Sequence, residues 1–363
     1  MNVTFVLPYA GMAGGVRVVA IYAQWLVDQG HEVTVISTTR RPIGLRRAIS
    51  YFFANKRLLF GNQPQGESHL KGGTYKWSVI DRGGPLFDAD VPDADIVIAT
   101  WWKTADWVHR LSPRKGKKVY FCQHYEVHDY FPRTEVELTY LYPMLQICVS
   151  NWIRTKIVEL TGSEKPKVVM NGVDTKQFTA PPRQKNKATR FGFVYSPMAW
   201  KGVDTVIEAL AVIKKKHPEI SAVCFGSNPT VAALPLPSWV EFKVNPDQTA
   251  ISDIYAQCDG WLFASRVEGF GLPILEAMAC RTPVIGTPAG AAPDLISKDN
   301  GFLLANYDGE SLVASMVGMI KLPSHEWHSM SQSAFETACS QDWGISAALF
   351  ESLLLNTLDA ANE

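Results

Sequence analysis

The sequence predicts two doubly wound α/β domains facing across a cleft. Three observations carry this expectation. The chain has 363 residues, and at roughly 150 residues per domain that length fits two. From residue 3 onward a short apolar run, a glycine-rich loop, a helically spaced apolar segment and a β-rich run follow one another. That succession is a βαβ unit. After a polar stretch at 179–190 that contains Pro181 and Pro182, the same alternation starts again. Alternating strands and helices imply parallel sheets covered on both faces.

The elements are read in order. Residues 3–7 form the first strand, and Gly11, Gly14 and Gly15 make the loop after it. Val16, Val19, Ala20, Ala23 and Leu26 recur at helical spacing until Gly30, and 33–36 is the next strand. Further strands are expected at 96–99, 119–122 and 147–150. Beyond the linker, strands are expected at 190–195, 221–225, 240–244, 260–264 and 283–286, with helices at 203–215, 251–257 and 273–280. A final helix at 343–358 carries an apolar face. The expected division is an N-terminal domain at 1–170, completed by the C-terminal helix 343–363, and a C-terminal domain at 171–342.

Composition narrows the function. Thirty-five basic residues balance 35 acidic ones, so the formal net charge is zero, and no global field draws the chain to nucleic acid. No nucleic-acid partner is expected. The longest stretch without a charged residue, 220–240, holds Gly226, Pro229, Pro235 and Pro237, which disqualifies it as a spanning helix. The first residues lack the basic flank and apolar core of a secretory leader. The six cysteines are scattered with no C-x-x-C pair, the usage of free thiols in a reducing compartment. A cytoplasmic protein is the expectation.

The most informative stretch is Ser265-Arg266-Val267-Glu268-Gly269-Phe270-Gly271-Leu272-Pro273-Ile274-Leu275-Glu276-Ala277. It follows a strand and opens a helix, the place where open parallel sheets bind ligands. Gly269 and Gly271 permit unusual backbone angles, and Pro273 suits a first helical turn. Free amides and the helix dipole there favour an anion such as a diphosphate. A carboxylate only accepts hydrogen bonds. Glu268 and Glu276 therefore fit hydroxyl groups of the same ligand, a ribose or a sugar. The same residues also fit a structural corner, with Glu276 complementing the helix terminus and Glu268 solvated.

The frame E-G-F-G-L-P-I-L-E-A, with seven residues between Glu268 and Glu276, resembles the signature of glycosyltransferase family 4. Asp259 with the strand before Ser265, Pro283-Val284-Ile285-Gly286-Thr287 with Gly290, Asn171-Gly172-Val173-Asp174 and Lys201-Gly202 resemble further family segments. The likeness covers roughly 166–306. It implies a retaining enzyme of GT-B fold, with two Rossmann-like domains and a nucleotide-sugar donor. It implies that Glu268 binds donor-sugar hydroxyls, Glu276 the ribose, and the amides of Phe270, Gly271 and Leu272 the sugar and diphosphate. Lys201 then pairs with the diphosphate. The chain departs from the family pattern at Ser196, which stands where the family carries an arginine clamp. Arg17, Arg266 or helix-end amides are the candidate substitutes.

In the N-terminal half, Gly14 and Gly15 resemble the family's glycine loop, with Arg17 at the helix start. His124, just after a strand, matches a histidine that the family places near the reacting carbon. With Glu268 and Lys201 it completes the expected catalytic set. His124 and His128 form H-x-E-x-H, not H-E-x-x-H, and no third ligand is evident. Asp88-Ala89-Asp90 and Asp93-Ala94-Asp95 look like the D-x-D signature of a metal-dependent fold, but they read better as a turn before the strand at 96–99. No metal and no cofactor are expected.

Two basic segments remain. Residues 40–60 carry six basic side chains, no acid and many aromatic and aliphatic residues. They fit a loop packed on the N-terminal domain, or a surface lying on anionic lipid. Arg114, Lys115, Lys117 and Lys118 form a shorter cluster. The resemblance implies transfer of a hexosyl unit from a nucleoside-diphosphate sugar to a glycan or lipid-linked acceptor, at or near the inner face of a membrane. A nucleotide-sugar epimerase or hydrolase on the same fold, and a non-catalytic nucleotide-binding subunit, remain open.

Overall fold

The structure is a computed structural model, and it describes residues 1–39, 67–127 and 131–359. The segment 40–60 and His128 lie outside the described residues. The chain divides into two compact units. The first comprises Met1–Cys148, Arg154–Val169 and Ala347–Glu363, and the second comprises Val149–Ile153 and Met170–Ser346.

The first unit holds a seven-stranded parallel sheet in the order β3-β2-β1-β4-β5-β6-β7. Its strands are β1 (Asn2–Leu7), β2 (Glu32–Thr38), β3 (Lys76–Ile80), β4 (Ile96–Ala99), β5 (Lys117–Cys122), β6 (Leu145–Cys148) and β7 (Lys167–Val168). The helices are α1 (Gly14–Asp28), α2 (Trp102–Arg110), α3 (Arg133–Thr139) and α4 (Asn151–Thr161), whose first residues pack with the second unit. The inner strands are buried on both faces, as a doubly wound sheet requires. Helix α1 turns Val16, Val19, Tyr22, Ala23 and Leu26 inward.

The C-terminal helix, Trp343–Asp359, also contributes here. Phe350 lies 4.6 Å from the Tyr22 ring and 5.1 Å from Phe121. The next residue, Glu351, meets His31 at 2.8 Å and accepts the Trp25 indole N–H at 3.1 Å. An aromatic plug and a carboxylate thus bind the helix from Ala347 onward to α1. Trp343–Ser346 pack with the second unit.

The second unit holds a six-stranded parallel sheet in the order β10-β9-β8-β11-β12-β13. The strands are β8 (Arg190–Val194), β9 (Ser221–Gly226), β10 (Val240–Val244), β11 (Gly260–Phe263), β12 (Val284–Gly286) and β13 (Gly301–Leu303). The helices are α5 (Val203–Lys216), α6 (Gln248–Ala256), α7 (Leu272–Ala279), α8 (Ala292–Leu295), α9 (Gly309–Lys321) and α10 (Ser324–Cys339), followed by α11 (Trp343–Asp359), the C-terminal helix described above. Buried Asp259 anchors the entry to β11. It accepts the backbone N–H groups of Asn186 and Arg190 and pairs with Arg183 at 2.9 Å. In each sheet the strand order reverses beside the first strand, between β1 and β4 and between β8 and β11. These are the crevices where such sheets bind ligands.

Two polar segments are structural. Asp88–Asp90 forms one 3₁₀ turn. Asp88 accepts the Ser112 N–H, Asp90 holds Arg82, Asp93 holds Lys115 at 2.7 Å, and Asp95 accepts the Asn2 N–H. Two members of the basic cluster at 114–118 are engaged, while Arg114 and Lys117 are exposed. Lys115 is buried on Asp93, and Lys118 donates to the carbonyls of His109 and Leu111 at the end of α2, at 2.6 Å each. Burial holds the Lys118 ammonium below its ordinary pKa. Among the described residues no group of three or more His, Cys, Asp or Glu is placed to hold a metal, and no helix is long and apolar enough to cross a membrane.

Gly172 shows why the segment 171–174 needs a glycine. A Cβ there would lie 2.5 Å from the Trp343 nitrogen and 2.6 Å from the Asp342 carbonyl carbon. The close approach lets Val173 donate its N–H to Gln341 at 2.9 Å. Gly172→Ala is expected to cost about 1–3 kcal/mol, the range for overpacking, and to lower the thermal midpoint by several degrees. An unchanged midpoint would contradict this docking.

Candidate active site

The corner between β11 and α7 is built by pinning its carbonyls. The Ser150 hydroxyl donates to the Gly269 carbonyl at 2.8 Å. The Ala291 N–H donates to the Phe270 carbonyl at 2.8 Å. Gly290 makes that second approach possible, since its φ is +58° and a Cβ there would lie 2.6 Å from the Phe270 oxygen. A trans peptide points its N–H opposite its C=O. The Phe270 N–H therefore points away from Ser150, and the Gly271 N–H away from Ala291. Gly271 adopts a φ of +98° at the N-cap of α7, and no side chain caps that helix. Leu272 begins α7 and Pro273 occupies its first turn. The corner therefore presents main-chain donors at a positive helix end, the setting for an anion.

The charged side chains converge on this corner. Lys201 Nζ lies 2.5 Å from Glu268 Oε2, with the side chains 36% and 16% exposed. The Ser265 hydroxyl donates to the same oxygen at 3.1 Å. Ser265 is fixed in turn, because the Thr287 hydroxyl donates to its carbonyl at 2.6 Å. Lys201 reaches Glu268 because Gly202, at φ +65°, lies against the end of β11. A Cβ on Gly202 would stand 1.9 Å from the Ala264 carbonyl oxygen. Glu276 is buried in α7 and accepts the Tyr255 hydroxyl at 2.9 Å.

Arg266 braces the Lys201 loop. Its N–H donates to the Trp200 carbonyl at 2.7 Å. Its guanidinium holds the Ala199 carbonyl, Asp204 at 2.7 Å and Thr205 at 3.0 Å. These contacts hold it at the start of α5. Ser196 itself accepts the Met198 N–H at 3.3 Å in the same loop. Lys201 and the main-chain N–H groups at the start of α7 share the corner.

Gly14, Gly15, Arg17 and His124 belong to the first unit. Gly14 and Gly15 open α1, which has no side-chain cap. A Cβ on Gly15 would sit 3.2 Å from Gln123 Oε1, so the glycine loop packs directly on the residue before His124. His124 Nδ1 lies 3.0 Å from the Tyr125 carbonyl. A carbonyl only accepts, so Nδ1 carries a proton. Arg17 lies close enough to His69 for its charge, after burial, to depress the His69 pKa.

Sequence reasoning missed several of these partners. Ser150, Tyr255 and Ala291 carry no motif of their own, and Ser150 lies 119 residues from Gly269. Glu126, two residues after His124, escaped as well. It is buried and accepts the Trp102 N–H at 2.7 Å and the Tyr120 hydroxyl at 3.2 Å. Its own N–H donates to the Tyr140 hydroxyl, which in turn reaches the His124 carbonyl at 3.4 Å. The carboxyl therefore ties the His124 loop to the start of α2.

Comparison with known proteins gives the family and the fold. The family profile described as Glycosyl transferases group 1 matches residues 174–336, and that described as Glycosyltransferase Family 4 matches residues 12–177. A relative from Rhizobium meliloti, the lipopolysaccharide core biosynthesis mannosyltransferase LpsB, is 27% identical over 218 residues, 52% of this chain and 61% of that protein. The D-inositol 3-phosphate glycosyltransferase 2 of Catenulispora acidiphila is 26% identical over 53% of this chain and 52% of its own. The chain spans about half the length of the curated relatives it matches. The structure of Anabaena Alr3699/HepE in complex with UDP and glucose superposes with a TM-score of 0.73 at 18% identity, over 98% of this chain and 100% of that one. The two parallel α/β units are those of the GT-B fold. The chain belongs to glycosyltransferase family 4.

Burial pushes the Glu126 carboxyl up to about 8. The folded protein thus keeps a proton that the unfolded chain releases from about pH 4.5 upward. Stability therefore falls as pH rises from about 4.5 through 8, because each tenfold difference in proton affinity between the two states is worth about 1.4 kcal/mol. Glu126→Gln is expected to flatten that fall between pH 5 and 9 in denaturant melts. Parallel curves for parent and variant would contradict the burial account.

Proposed function

We propose that the chain is a retaining glycosyltransferase. It moves a hexosyl unit from a nucleoside-diphosphate sugar to a hydroxyl of a glycan or lipid-linked acceptor in surface polysaccharide or glycolipid assembly. The observation that carries this is the pair of outward main-chain donors at Phe270 and Gly271 beside Lys201 and Glu268. It is supported by the mannosyltransferase activity named for the Rhizobium relative and by the UDP and glucose held in the Anabaena structure.

The chemistry follows from the charges. Without donor, Lys201 and Glu268 neutralise each other. A diphosphate draws Lys201 to itself, and Glu268 is released to accept hydroxyls of the sugar. Phe270, Gly271 and Leu272 amides then stabilise the charge that grows on the leaving diphosphate, a preorganised effect of the oxyanion-hole kind. Glu276 accepts a ribose hydroxyl. The helix end and Lys201 supply the positive charge that a divalent ion supplies elsewhere, so the reaction runs without metal. No side chain acts as nucleophile; the acceptor attacks the face the diphosphate leaves, and a phosphate oxygen takes its proton. His124 and the Gly14–Gly15 loop act at the reacting carbon and the acceptor. A lipid-linked acceptor sets this work at the inner face of a membrane.

Lys201→Ala is expected to lower kcat about 10²–10³-fold, the cost of removing one such stabilising donor. Glu268→Gln should fall comparably, and Glu276→Gln should raise the donor KM about tenfold, one hydrogen bond to a charged group. The assay is transfer to acceptor by the purified full chain, with and without chelator. Turnover near the parent level in the two glutamine variants would refute the site. Epimer or free sugar formed without acceptor would instead identify an epimerase or hydrolase.

A further inference from the structure

We infer that Glu126 is a positioning residue for the transfer reaction: its carboxyl holds the His124 loop in place, and loss of the carboxyl proton releases that loop. The role rests on the transferase reading, which sets His124 at the reacting carbon.

The hold is built from one side chain and one tyrosine. Strand β5 ends at Cys122, so the residues from Gln123 onward leave the sheet. The Glu126 N–H donates to the Tyr140 hydroxyl at 3.0 Å, and that hydroxyl donates to the His124 carbonyl at 3.4 Å. Tyr140 is itself fixed. Its ring stacks on those of Tyr120 and Tyr125, each 5.5 Å away. Its carbonyl accepts the Gln146 side chain at 2.6 Å. The Glu126 side chain then reaches back to the sheet. Its Oε2 accepts the Trp102 N–H, the first of α2, and the Tyr120 hydroxyl. The carboxyl is therefore the point where β5, α2 and the His124 loop meet.

Such a tie needs only an oxygen acceptor, which a glutamine would also supply. A carboxyl adds a charge that comes and goes. A helix start and two donors favour the anion. Glu126 is only 8% exposed, however, and burial outweighs them, so the group ionises at about 8. Below that pH the hold joins neutral groups. Above it a charge appears in the interior. The titratable groups facing it are Tyr120 and Cys122 on β5 and Tyr140 after α3, and burial keeps all three protonated through this range. On α2, Lys103 lies over the Trp101 and Trp102 rings at 5.5 and 5.0 Å. A buried anion without a cation beside it is costly. The loop relaxes toward water to hydrate it. Residue 126 then draws its N–H off Tyr140, and the His124 carbonyl loses its anchor.

Two readouts on the full chain test this. The first is nucleotide release from GDP-mannose and UDP-glucose, with octyl α-mannopyranoside as the acceptor probe. Glu126→Ala should lower kcat about 10²-fold, the cost of a misplaced group, with the donor KM near the parent value. Glu126→Gln should restore kcat. In the parent, kcat should fall as pH rises through about 8, by about tenfold per pH unit, and the glutamine variant should lack this fall. His124 is present in both proteins, so the difference between the profiles reports Glu126. The second readout is amide exchange at residues 124–126, corrected for the intrinsic effect of pH. Protection of the Glu126 N–H should drop above about pH 8 in the parent and persist in the glutamine variant. This comparison stands even where the alanine variant does not fold. Parallel kcat profiles for parent and glutamine variant, or protection that ignores pH in the parent, overturn the inference. The exchange change in a parent whose thermal midpoint moves with neither GDP nor UDP supports the hold on the loop and removes the transferase reading.

Discussion

Two hydrogen bonds set the chemistry of the second unit. Ser150 and Ala291 hold the carbonyls of Gly269 and Phe270, and the planarity of the peptide points the matching N–H groups away from those partners. A corner with unpinned carbonyls would be free to flip those peptides. The glycines serve the same end. Gly271 takes a left-handed φ to start α7, and Gly290 lets Ala291 come within reach. Packing around the corner is thus an electrostatic device, because it decides which end of each peptide dipole the ligand meets.

The acidic and basic side chains are placed on this frame with little slack. Lys201 is delivered by Gly202 against the end of β11, and its loop is stapled by Arg266. Glu268 is held by Ser265, which Thr287 holds in turn. The Lys201–Glu268 pair keeps two charges compensated while no ligand is present, at a site partly shielded from water where a lone charge would be costly. A ligand that brings both negative phosphate and hydroxyls satisfies both partners at once. This is why the pair suits a nucleotide sugar better than a simple anion, which would leave Glu268 facing it uncompensated.

Much of this was legible in the chain. The alternation of apolar runs and glycine loops marks both sheets, since parallel strands buried on two faces need continuous Val, Ile and Phe runs. The spacing of Glu268, Gly269, Gly271, Pro273 and Glu276 marks the corner because each type answers a local backbone demand. What stayed hidden is tertiary. Strand β3, with its half-exposed KWSVI, shows no clear period. Ser150 lies 119 residues from Gly269, and nothing local to a serine announces a distant carbonyl. Arg266 fits a phosphate clamp by its place in the sequence, and its hold on the start of α5 carries no local signal. Lys115 and Lys118 read as surface charge, whereas one is buried on Asp93 and the other caps the carbonyls of α2.

The most direct test is residue-resolved amide hydrogen exchange across 264–276, in the full chain with and without millimolar GDP or UDP. The outward amides predict that Phe270 and Gly271 exchange readily in the free protein and slow markedly when the nucleotide binds. Protection that arises elsewhere in the chain while these two amides stay unchanged would contradict the account.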